Sequence, residues 1–411
     1  MELSFEDKLN NFAELAIRVG INLQKGQRLL IRAPIETAEF VRKLVDVAYK
    51  AGSPLVEVAW SDDSILMSRF NYAVSNSFDM ASLIERNAME DVIDAGGAII
   101  KVYASDPELL KDVEPEKLDR LMRKNQAEYQ AVSARMGASE VSWLVISVPI
   151  DSWSAKVFPN ESIANQNPKL WDAIFQATRA DLANPIEAWK EHLANLEERR
   201  IYLTNKQYKS LKYKSKDTDL TVGLVDNHMW LGGYQANNDG TLYVANLPTE
   251  EVFTMPHKDK INGIVKSTLP LSYSGQLIDG FSLEFKDGKV VKASAKKGEA
   301  ALHKLLETDS GSSRLGEVAL VPYSSPIRES GILFYNTLFD ENASSHFALG
   351  RAYSFTVEGG TQMSPEELAK IGYNNSMTHV DFMIGSEDMD VDGITEDGKR
   401  EAIMRAGEWV S

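Results

Sequence analysis

Residues 83–103 read Leu-Ile-Glu-Arg-Asn-Ala-Met-Glu-Asp-Val-Ile-Asp-Ala-Gly-Gly-Ala-Ile-Ile-Lys-Val-Tyr. The first part, residues 83–95, predicts a helix, and Gly96 and Gly97 predict its end because glycine adopts the backbone conformations found there. The second part, residues 98–103, predicts a buried strand, since a short apolar run directly after a turn is typical of one. A helix followed at once by a buried strand is the repeating unit of an α/β sheet.

The same alternation extends in both directions from this stretch. We predict strands at residues 29–31, 55–60 and 143–148, and helices at residues 9–17, 37–48 and 107–137. Two more helices, at residues 168–177 and 185–198, each carry a proline near the start. Strands that alternate with helices pair in parallel, so we expect an α/β N-terminal domain with a mostly parallel sheet, covered by helices on both faces.

The character of the chain changes near residue 205. Glycine turns then separate short β-rich runs, and Lys286-Asp-Gly-Lys289 predicts a hairpin turn between strands at residues 281–285 and 290–294. A helix at residues 299–307 is followed by predicted strands at residues 318–321, 354–358 and 378–384. We therefore predict two domains, an α/β domain at residues 1–205 and a strand-rich α+β domain at residues 206–411.

Composition narrows the possible functions. The chain has 411 residues, a net charge of −16 and no cysteine. The negative charge argues against nucleic acid as a partner, because binding it requires basic surface. No apolar run approaches the roughly 18 residues that cross a bilayer, and the first seven residues are acidic, so we predict a cytoplasmic protein without a membrane segment. Any metal must be held by histidine, carboxylates or water.

Several common motifs are missing or incomplete. The run Asp388-Met-Asp-Val-Asp-Gly393 resembles the start of a calcium loop, but the twelfth position is Lys399 where a bidentate glutamate is needed. We interpret it as a polar hairpin. The sequence contains no phosphate-binding loop, no Gly-x-Ser-x-Gly elbow and no His-Glu-x-x-His helix motif.

A histidine and a carboxylate alternate along one predicted strand. Residues 377–384 read Met-Thr-His-Val-Asp-Phe-Met-Ile, which places His379 and Asp381 on one face and apolar side chains on the other. Burying that pair is costly without compensation, and a metal ion would compensate both groups. The alternative is a carboxylate that orients a surface histidine.

Three further acids and a second histidine occur in the same region. Glu341 and His346 lie five residues apart across a predicted loop-to-helix junction, with a simple helix cap by Asp340 or Asn342 as the alternative. Glu317 and Glu251 each stand beside an apolar strand, where a lone acid is usually an edge residue. Together these residues supply four carboxylates and two histidines, a number that suits a metal cage.

The candidate ligands lie in four segments: residues 246–254 (Asn-Leu-Pro-Thr-Glu-Glu-Val-Phe-Thr), 316–322 (Gly-Glu-Val-Ala-Leu-Val-Pro), 341–350 (Glu-Asn-Ala-Ser-Ser-His-Phe-Ala-Leu-Gly) and 379–381 (His-Val-Asp). These segments resemble the aminopeptidase T, aminopeptidase S and PepS family of dinuclear metallo-aminopeptidases. The resemblance runs the whole length of the chain. By position it implies the metal ligands Glu251, Glu317, Glu341, His346, His379 and Asp381. It also places Tyr353 at the active site, and the Glu-Val-Phe-Thr context favours Glu251 over Glu250 as the ligand.

The resemblance implies an enzyme that releases N-terminal amino acids from short peptides, using water activated at a two-metal site. Zinc is the expected ion, with cobalt, manganese or magnesium as alternatives. Glu317 is the expected bridge between the two ions and, with Tyr353, the expected catalytic pair; Tyr353 would donate a hydrogen bond to the developing oxyanion. The general base is Glu317 or another carboxylate, and Glu250 is a candidate for binding the free amine.

The family further implies a homodimer whose partners are short peptides with a free N-terminus. Two other functions are compatible with the same residues. Another metal-dependent amide hydrolase or a phosphoesterase could use the cage, and a non-catalytic protein could bind metal or peptide there.

Overall fold

The computed structural model describes residues 3–273 and 276–410. The chain divides into two compact units, the first comprising Met1–His192 and Tyr234–Pro248 and the second comprising Leu193–Gly233 and Thr249–Ser411. The division into domains at residues 1–205 and 206–411 stays a prediction. Within the described residues, no helix is both long and apolar enough to cross a membrane.

Helices and strands alternate in the first half of the chain, and strands dominate the second. The α-helices are α1 (Phe5–Leu15), α2 (Ala38–Lys50), α3 (Asp63–Tyr72), α4 (Ile84–Asp94), α5 (Pro115–Gly137), α6 (Asp151–Val157), α7 (Ile163–Ala177), α8 (Pro185–Lys206), α9 (Glu299–Leu306), α10 (Pro326–Glu329), α11 (Thr337–Asp340) and α12 (Pro365–Lys370). The strands up to residue 254 are β1 (Leu29–Pro34), β2 (Val56–Ser61), β3 (Ala98–Tyr103), β4 (Trp143–Ser147), β5 (Ser210–Lys214), β6 (Asp219–Leu224), β7 (Tyr234–Ala236), β8 (Leu242–Val244), β9 (Asn246–Leu247) and β10 (Val252–Thr254). The remaining strands are β11 (Pro256–Lys266), β12 (Leu271–Tyr273), β13 (Gln276–Ile278), β14 (Ser282–Lys286), β15 (Lys289–Ser294), β16 (Leu315–Leu320), β17 (His346–Gly350), β18 (His379–Met383), β19 (Asp390–Ile394), β20 (Arg400–Arg405) and β21 (Glu408–Trp409).

The first unit is built on a five-stranded sheet in the order β2-β1-β3-β4-β9, in which every neighbouring pair is parallel. Leu30 and Ile31 are consecutive in β1 and point to opposite faces, yet both are buried. Both faces of the sheet are therefore covered, and Met89 of α4 and Val132 of α5 pack on the Leu30 side. The predicted α/β arrangement is confirmed.

Local details of three predicted elements are wrong. The helix predicted from residue 107 begins only at Pro115, because Asp106 closes a turn by accepting a hydrogen bond from the Glu108 amide. Pro168 lies inside α7 rather than near its start, since the helix already begins at Ile163. The strand predicted at residues 354–358 is instead a 3-10 turn at Ser354–Thr356 followed by an isolated bridge at Val357, because the Thr356 hydroxyl donates to the Tyr353 carbonyl and favours a local turn.

The second unit contains two large antiparallel sheets, in addition to the short pairing of β12 with β13. The larger has the order β15-β14-β11-β6-β5-β19-β20-β21, and the smaller has the order β10-β16-β17-β18. The hairpin predicted around residues 286–289 is confirmed as β14 paired with β15. Residues 390–393 of the segment that resembles a calcium loop lie in β19, which forms an antiparallel hairpin with β20.

One apolar core joins these two sheets. Tyr213 of the larger sheet meets Phe347 of the smaller one edge to face, with ring centroids 5.0 Å apart. Val318, Leu349 and Phe382 from the smaller sheet are buried in the same core. Truncating a buried phenylalanine of this kind to alanine costs about 3–5 kcal/mol, so the core side of the smaller sheet is rigidly held.

Candidate metal centre

The smaller sheet carries acids and histidines on the face opposite the core. Across its strands, Glu317 pairs with Ala348, and Ala348 pairs with Asp381. Paired residues share a face, and so do residues two apart along a strand. His346 therefore joins this face through Ala348, and His379 joins it through Asp381.

Small residues keep that face open. His346 pairs with Ala319 on β16, and His379 pairs with Gly350 on β17. Alternation sends Val318 and Phe347 to the opposite face, where both are buried in the core. The strands thus separate an apolar side that anchors the sheet from a polar side with room between its functional groups.

A β-bulge sets the direction of Glu317. The pairing of β16 with β17 shifts between Leu315 and Glu317. A Cβ atom on Gly316 would lie 2.3 Å from the Gly350 carbonyl oxygen, a distance that backbone and side chain cannot share. Glycine at this position lets the bulge form against β17, and the bulge turns Glu317 onto the polar face.

Five of the predicted ligands form two triads that share Glu317. The first contains Glu251, Glu317 and His346, and the second contains Glu317, His379 and Asp381; in each, one donor atom from every residue lies within 4.8 Å of the others. Glu317 Oε1 is 3.6 Å from His346 Nε2, and Oε2 is 3.6 Å from His379 Nε2. The two oxygens of one carboxylate therefore face different triads.

Glu251 reaches the first triad from the residue before β10. Phe253 pairs with Ala319, so residues two apart from Phe253 belong to the polar face. Glu251 Oε2 lies 3.1 Å from His346 Nε2 accordingly. Glu250 is 3% exposed and is one residue out of step with the polar face. This supports the choice of Glu251 as the residue directed into the cluster.

Glu341 approaches the cluster from a turn rather than from a strand. It opens the 3-10 turn Glu341–Ala343, directly after α11 and shortly before β17 begins at His346. The predicted loop-to-helix junction is therefore wrong: the chain passes from a helical turn into a strand. Burial raises the pKa of Glu341 well above its ordinary value, and the charges of Glu251 and Asp381 raise it further. Glu341 itself belongs to neither triad.

Backbone carbonyls orient both histidines. His346 Nδ1 is 3.1 Å from the Ser344 carbonyl oxygen, and His379 Nδ1 is 2.7 Å from the Arg351 carbonyl oxygen. A ring nitrogen that faces a carbonyl must carry the proton, so each Nε2 is directed at the carboxylates as a potential ligand atom. Sequence reasoning missed both contacts, because a carbonyl is common to every residue type.

Burial and neighbouring charges shift the pKa values of the acids and histidines in the cluster. Burial raises the pKa of Glu317 above its ordinary value, against the opposing effect of the two histidines. Burial would lower the pKa of His379, but Asp381 and Glu317 outweigh it and raise that pKa to about 9. Burial also opposes the charged form of His346, but Glu251 and Glu317 outweigh it and raise the pKa of His346 well above its ordinary value. The cluster attracts positive charge, whether protons or metal ions.

Two buried oxygens indicate what is needed to complete the cluster. Within residues 3–273 and 276–410, Glu251 Oε2 and Asp381 Oδ1 are buried without a properly oriented hydrogen bond, although a histidine Nε2 lies 3.1 Å from the first and 3.4 Å from the second. Burying a carboxylate oxygen without a partner is costly, and a coordinated cation removes that cost. The donor set of carboxylate oxygens and imidazole nitrogens therefore fits divalent metal ions.

Tyr353 lies against the second triad. Its ring centroid is 4.7 Å from that of His379. Burial and the charges of Glu317 and Asp381 raise the pKa of Tyr353 above its ordinary value, so its hydroxyl remains a hydrogen-bond donor. His228 is instead buried against the Val225 carbonyl and belongs to neither triad.

Comparisons with known proteins agree with this site. Residues 5–409 match the family Peptidase_M29, described as thermophilic metalloprotease (M29). The chain is 47% identical over 408 residues to aminopeptidase 2 of Geobacillus stearothermophilus, covering 98% of each chain. It is 41% identical over 408 residues to aminopeptidase PepS of Streptococcus thermophilus, covering 99% of each.

A solved structure has the same fold. Wild-type AmpT from Thermus thermophilus superposes with a TM-score of 0.94 at 42% identity, covering 99% of this chain and 100% of that one. The chain belongs to the M29 family of metalloproteases. The resemblance stated from four short segments is confirmed over the whole length.

Proposed function

We propose that this chain is a metallo-aminopeptidase that releases N-terminal amino acids from short peptides at a site for two divalent metal ions. The observation that carries the proposal is the position of Glu317, whose two oxygens each face a separate triad of donor atoms. A carboxylate placed in this way is suited to bridge two ions. Aminopeptidase is also the printed name of its relatives.

The ligands are assigned by triad. Glu251 and His346 would hold one ion, His379 and Asp381 would hold the other, and Glu317 would contact both. Glu341 lies outside both triads and is included in the proposed ligand set because the family resemblance implies it. Zinc is our assignment, with cobalt, manganese or magnesium as substitutes, because imidazole and carboxylate donors accept all four. A homodimer and a cytoplasmic location stay predictions.

Divalent ions in such a cage supply Lewis-acid polarisation of the peptide carbonyl and acidify water. Glu317 or another cage carboxylate would accept the proton that water gives up and pass it to the amine that leaves when the peptide C–N bond breaks. Tyr353 would donate a hydrogen bond from its hydroxyl to the oxyanion that develops on the carbonyl oxygen. The free amine of the substrate is bound either by Glu250 or by the cage, and this contact would restrict cleavage to the first peptide bond.

The substrate claim can be tested with a matched pair of compounds. Zinc-reconstituted protein is incubated with leucine p-nitroanilide and with its N-acetyl derivative, and release of p-nitroaniline is followed. We expect cleavage of the first compound only, because acetylation removes the amine. Equal cleavage of both would make the chain a general amide hydrolase.

A second experiment separates an enzyme from a metal-binding protein. Replacing Glu317 by glutamine keeps the shape of the side chain and removes the charge shared by both triads. We expect turnover to be lost while the circular dichroism spectrum is unchanged. Full activity in Glu317→Gln would contradict the bridging assignment.

A further inference from the structure

Asn342 stands between two ligand-bearing segments. It is the central residue of the turn Glu341–Ala343, and its side chain is completely buried. Asn342 Oδ1 accepts a hydrogen bond of 2.7 Å from the backbone amide of Glu250. Asn342 Nδ2 donates one of 3.0 Å to the carbonyl oxygen of Leu338. Both ends of the amide are therefore used, one to Leu338 in the preceding helix α11 and one across to a distant loop.

We propose that Asn342 is a positioning residue that fixes the Glu250–Glu251 loop so that the Glu251 carboxylate enters the metal cage. The two segments that Asn342 joins are 92 residues apart in the chain. One carries Glu251, and the other carries Glu341. The proposal rests on the proposed function only in taking Glu251 as a metal ligand, since the hydrogen bond between the two segments is a feature of the fold.

The loop needs such a contact because it precedes the regular strand. β10 begins only at Val252, so sheet pairing does not hold Glu250 or Glu251. On the far side of Glu251, its carbonyl oxygen packs against Gly232, where a Cβ atom would lie 2.3 Å away. The backbone of the ligand residue is thus held from both sides, by Asn342 before it and by Gly232 after it. Both contacts restrict the direction of the Glu251 side chain toward His346.

A purely structural role for Asn342 makes a different prediction. Ser325 provides the comparison, because its hydroxyl donates a 2.6 Å hydrogen bond to the backbone carbonyl of Asn342. That bond stabilises the same turn without reaching the Glu250 amide. If Asn342 only stabilised the turn, removing either hydrogen bond would have the same effect on the metal site.

The experiment compares Asn342→Leu, which has similar volume and no acceptor, with the control Ser325→Ala. Zinc affinity is measured by competition with a chromogenic chelator, and amide exchange of residues 249–253 is measured by mass spectrometry. For Asn342→Leu we expect roughly 10–100-fold weaker zinc binding, as for other residues that support metal ligands, and faster exchange at the Glu250 amide. Ser325→Ala is expected to retain both.

Two more variants keep the test decisive. If Asn342→Leu does not fold, Asn342→Ser removes the same acceptor with a smaller polar side chain, and the same losses are expected. Asn342→Asp keeps an oxygen opposite the Glu250 amide and is expected to restore exchange protection there. Wild-type zinc affinity and exchange in a folded variant without the acceptor, or equal losses in Ser325→Ala, would overturn the proposal.

The readouts distinguish this proposal from the proposed function. Zinc affinity and amide exchange do not depend on turnover. A wild-type protein that fails to cleave leucine p-nitroanilide would remove the aminopeptidase assignment and leave the positioning role testable. An active wild type with no difference in Asn342→Leu would remove the positioning role alone.

Discussion

Glu317 lies directly opposite Ala348 in the antiparallel pairing of β16 with β17. Ala348 in turn lies opposite Asp381 on β18. Opposed Cβ atoms in such pairs are about 4.5–5.5 Å apart, so the methyl group of Ala348 is the side chain between the two carboxylates. Because residue 348 is alanine, space remains between the side chains of Glu317 and Asp381.

Ala348→Leu is therefore expected to fill the cage. The larger side chain would occupy space between Glu317 and Asp381, and we expect at least about tenfold weaker zinc binding, similar to other changes around metal ligands. Overpacking adds about 1–3 kcal/mol of destabilisation, measurable by urea unfolding. Leu349→Met is the control, because Leu349 faces the core and the change conserves volume. Unchanged zinc affinity in Ala348→Leu would show that the size of residue 348 does not affect zinc binding.

Gly316→Ala tests the bulge that directs Glu317. The added Cβ would lie 2.3 Å from the Gly350 carbonyl oxygen and 2.4 Å from the Arg351 carbonyl carbon. Because the Arg351 carbonyl orients His379, we expect both lower stability, by about 1–3 kcal/mol, and weaker zinc binding. Gly137→Ala is the matched control, since an added Cβ there meets nothing within 4 Å. A Gly316→Ala protein with wild-type stability would disprove the close contact.

Features carried by local periodicity could be predicted from the sequence. The strand predicted at residues 98–103 is observed at the same residues, as Ala98–Tyr103. His379 and Asp381 share a face, as their spacing of two predicted, and their partners on the other face are apolar. Both results follow from the period-two geometry of strands, which needs no knowledge of distant contacts.

Features that depend on pairing between distant segments could not be predicted in this way. The bulge at Gly316 is a shift in register against another strand, and a glycine alone does not identify it. The carbonyls of Ser344 and Arg351 orient the histidines. Every residue type has a backbone carbonyl, so the sequence does not identify these contacts. Asn342 looked like a helix cap, whereas its side chain spans two segments. The position of Glu251 beside Glu317 and His346 is implied in the sequence only by the family resemblance.

Glu251→Gln and Glu250→Gln test which of two neighbouring acids binds metal. Glu251 Oε2 lies 3.1 Å from His346 Nε2, within the first triad. The Glu251→Gln variant should therefore bind zinc at least about tenfold more weakly than the wild type. Glu250→Gln should keep the zinc content and, if Glu250 binds the amine, raise KM. Zinc per protein is measured by mass spectrometry after dialysis. A larger loss of zinc at position 250 would reverse the assignment.

Zinc affinity is expected to fall as pH falls. The pKa of His379 is raised to about 9 without bound metal, so below that pH zinc must displace a proton to bind Nε2. Each proton displaced weakens the apparent affinity by up to about tenfold per pH unit below its pKa. Competition titrations from pH 6 to pH 9 measure the slope. His303→Asn, at an exposed position outside the cage, should leave the slope unchanged, and an affinity independent of pH would exclude proton displacement.

Tyr353→Phe tests the proposed donor to the oxyanion. Losing one such donor typically lowers kcat by about 10²–10³-fold, and because Tyr353 is not an assigned ligand, zinc content should not change. Burial, together with the charges of Glu317 and Asp381, raises the pKa of Tyr353, so its hydroxyl stays protonated in alkaline solution. We therefore expect that ionisation of Tyr353 causes no loss of wild-type activity up to pH 10. Tyr373→Phe serves as the control, since Tyr373 packs in a separate apolar cluster with Val225. A Tyr353→Phe enzyme with wild-type kcat would leave oxyanion stabilisation to the metal ions alone.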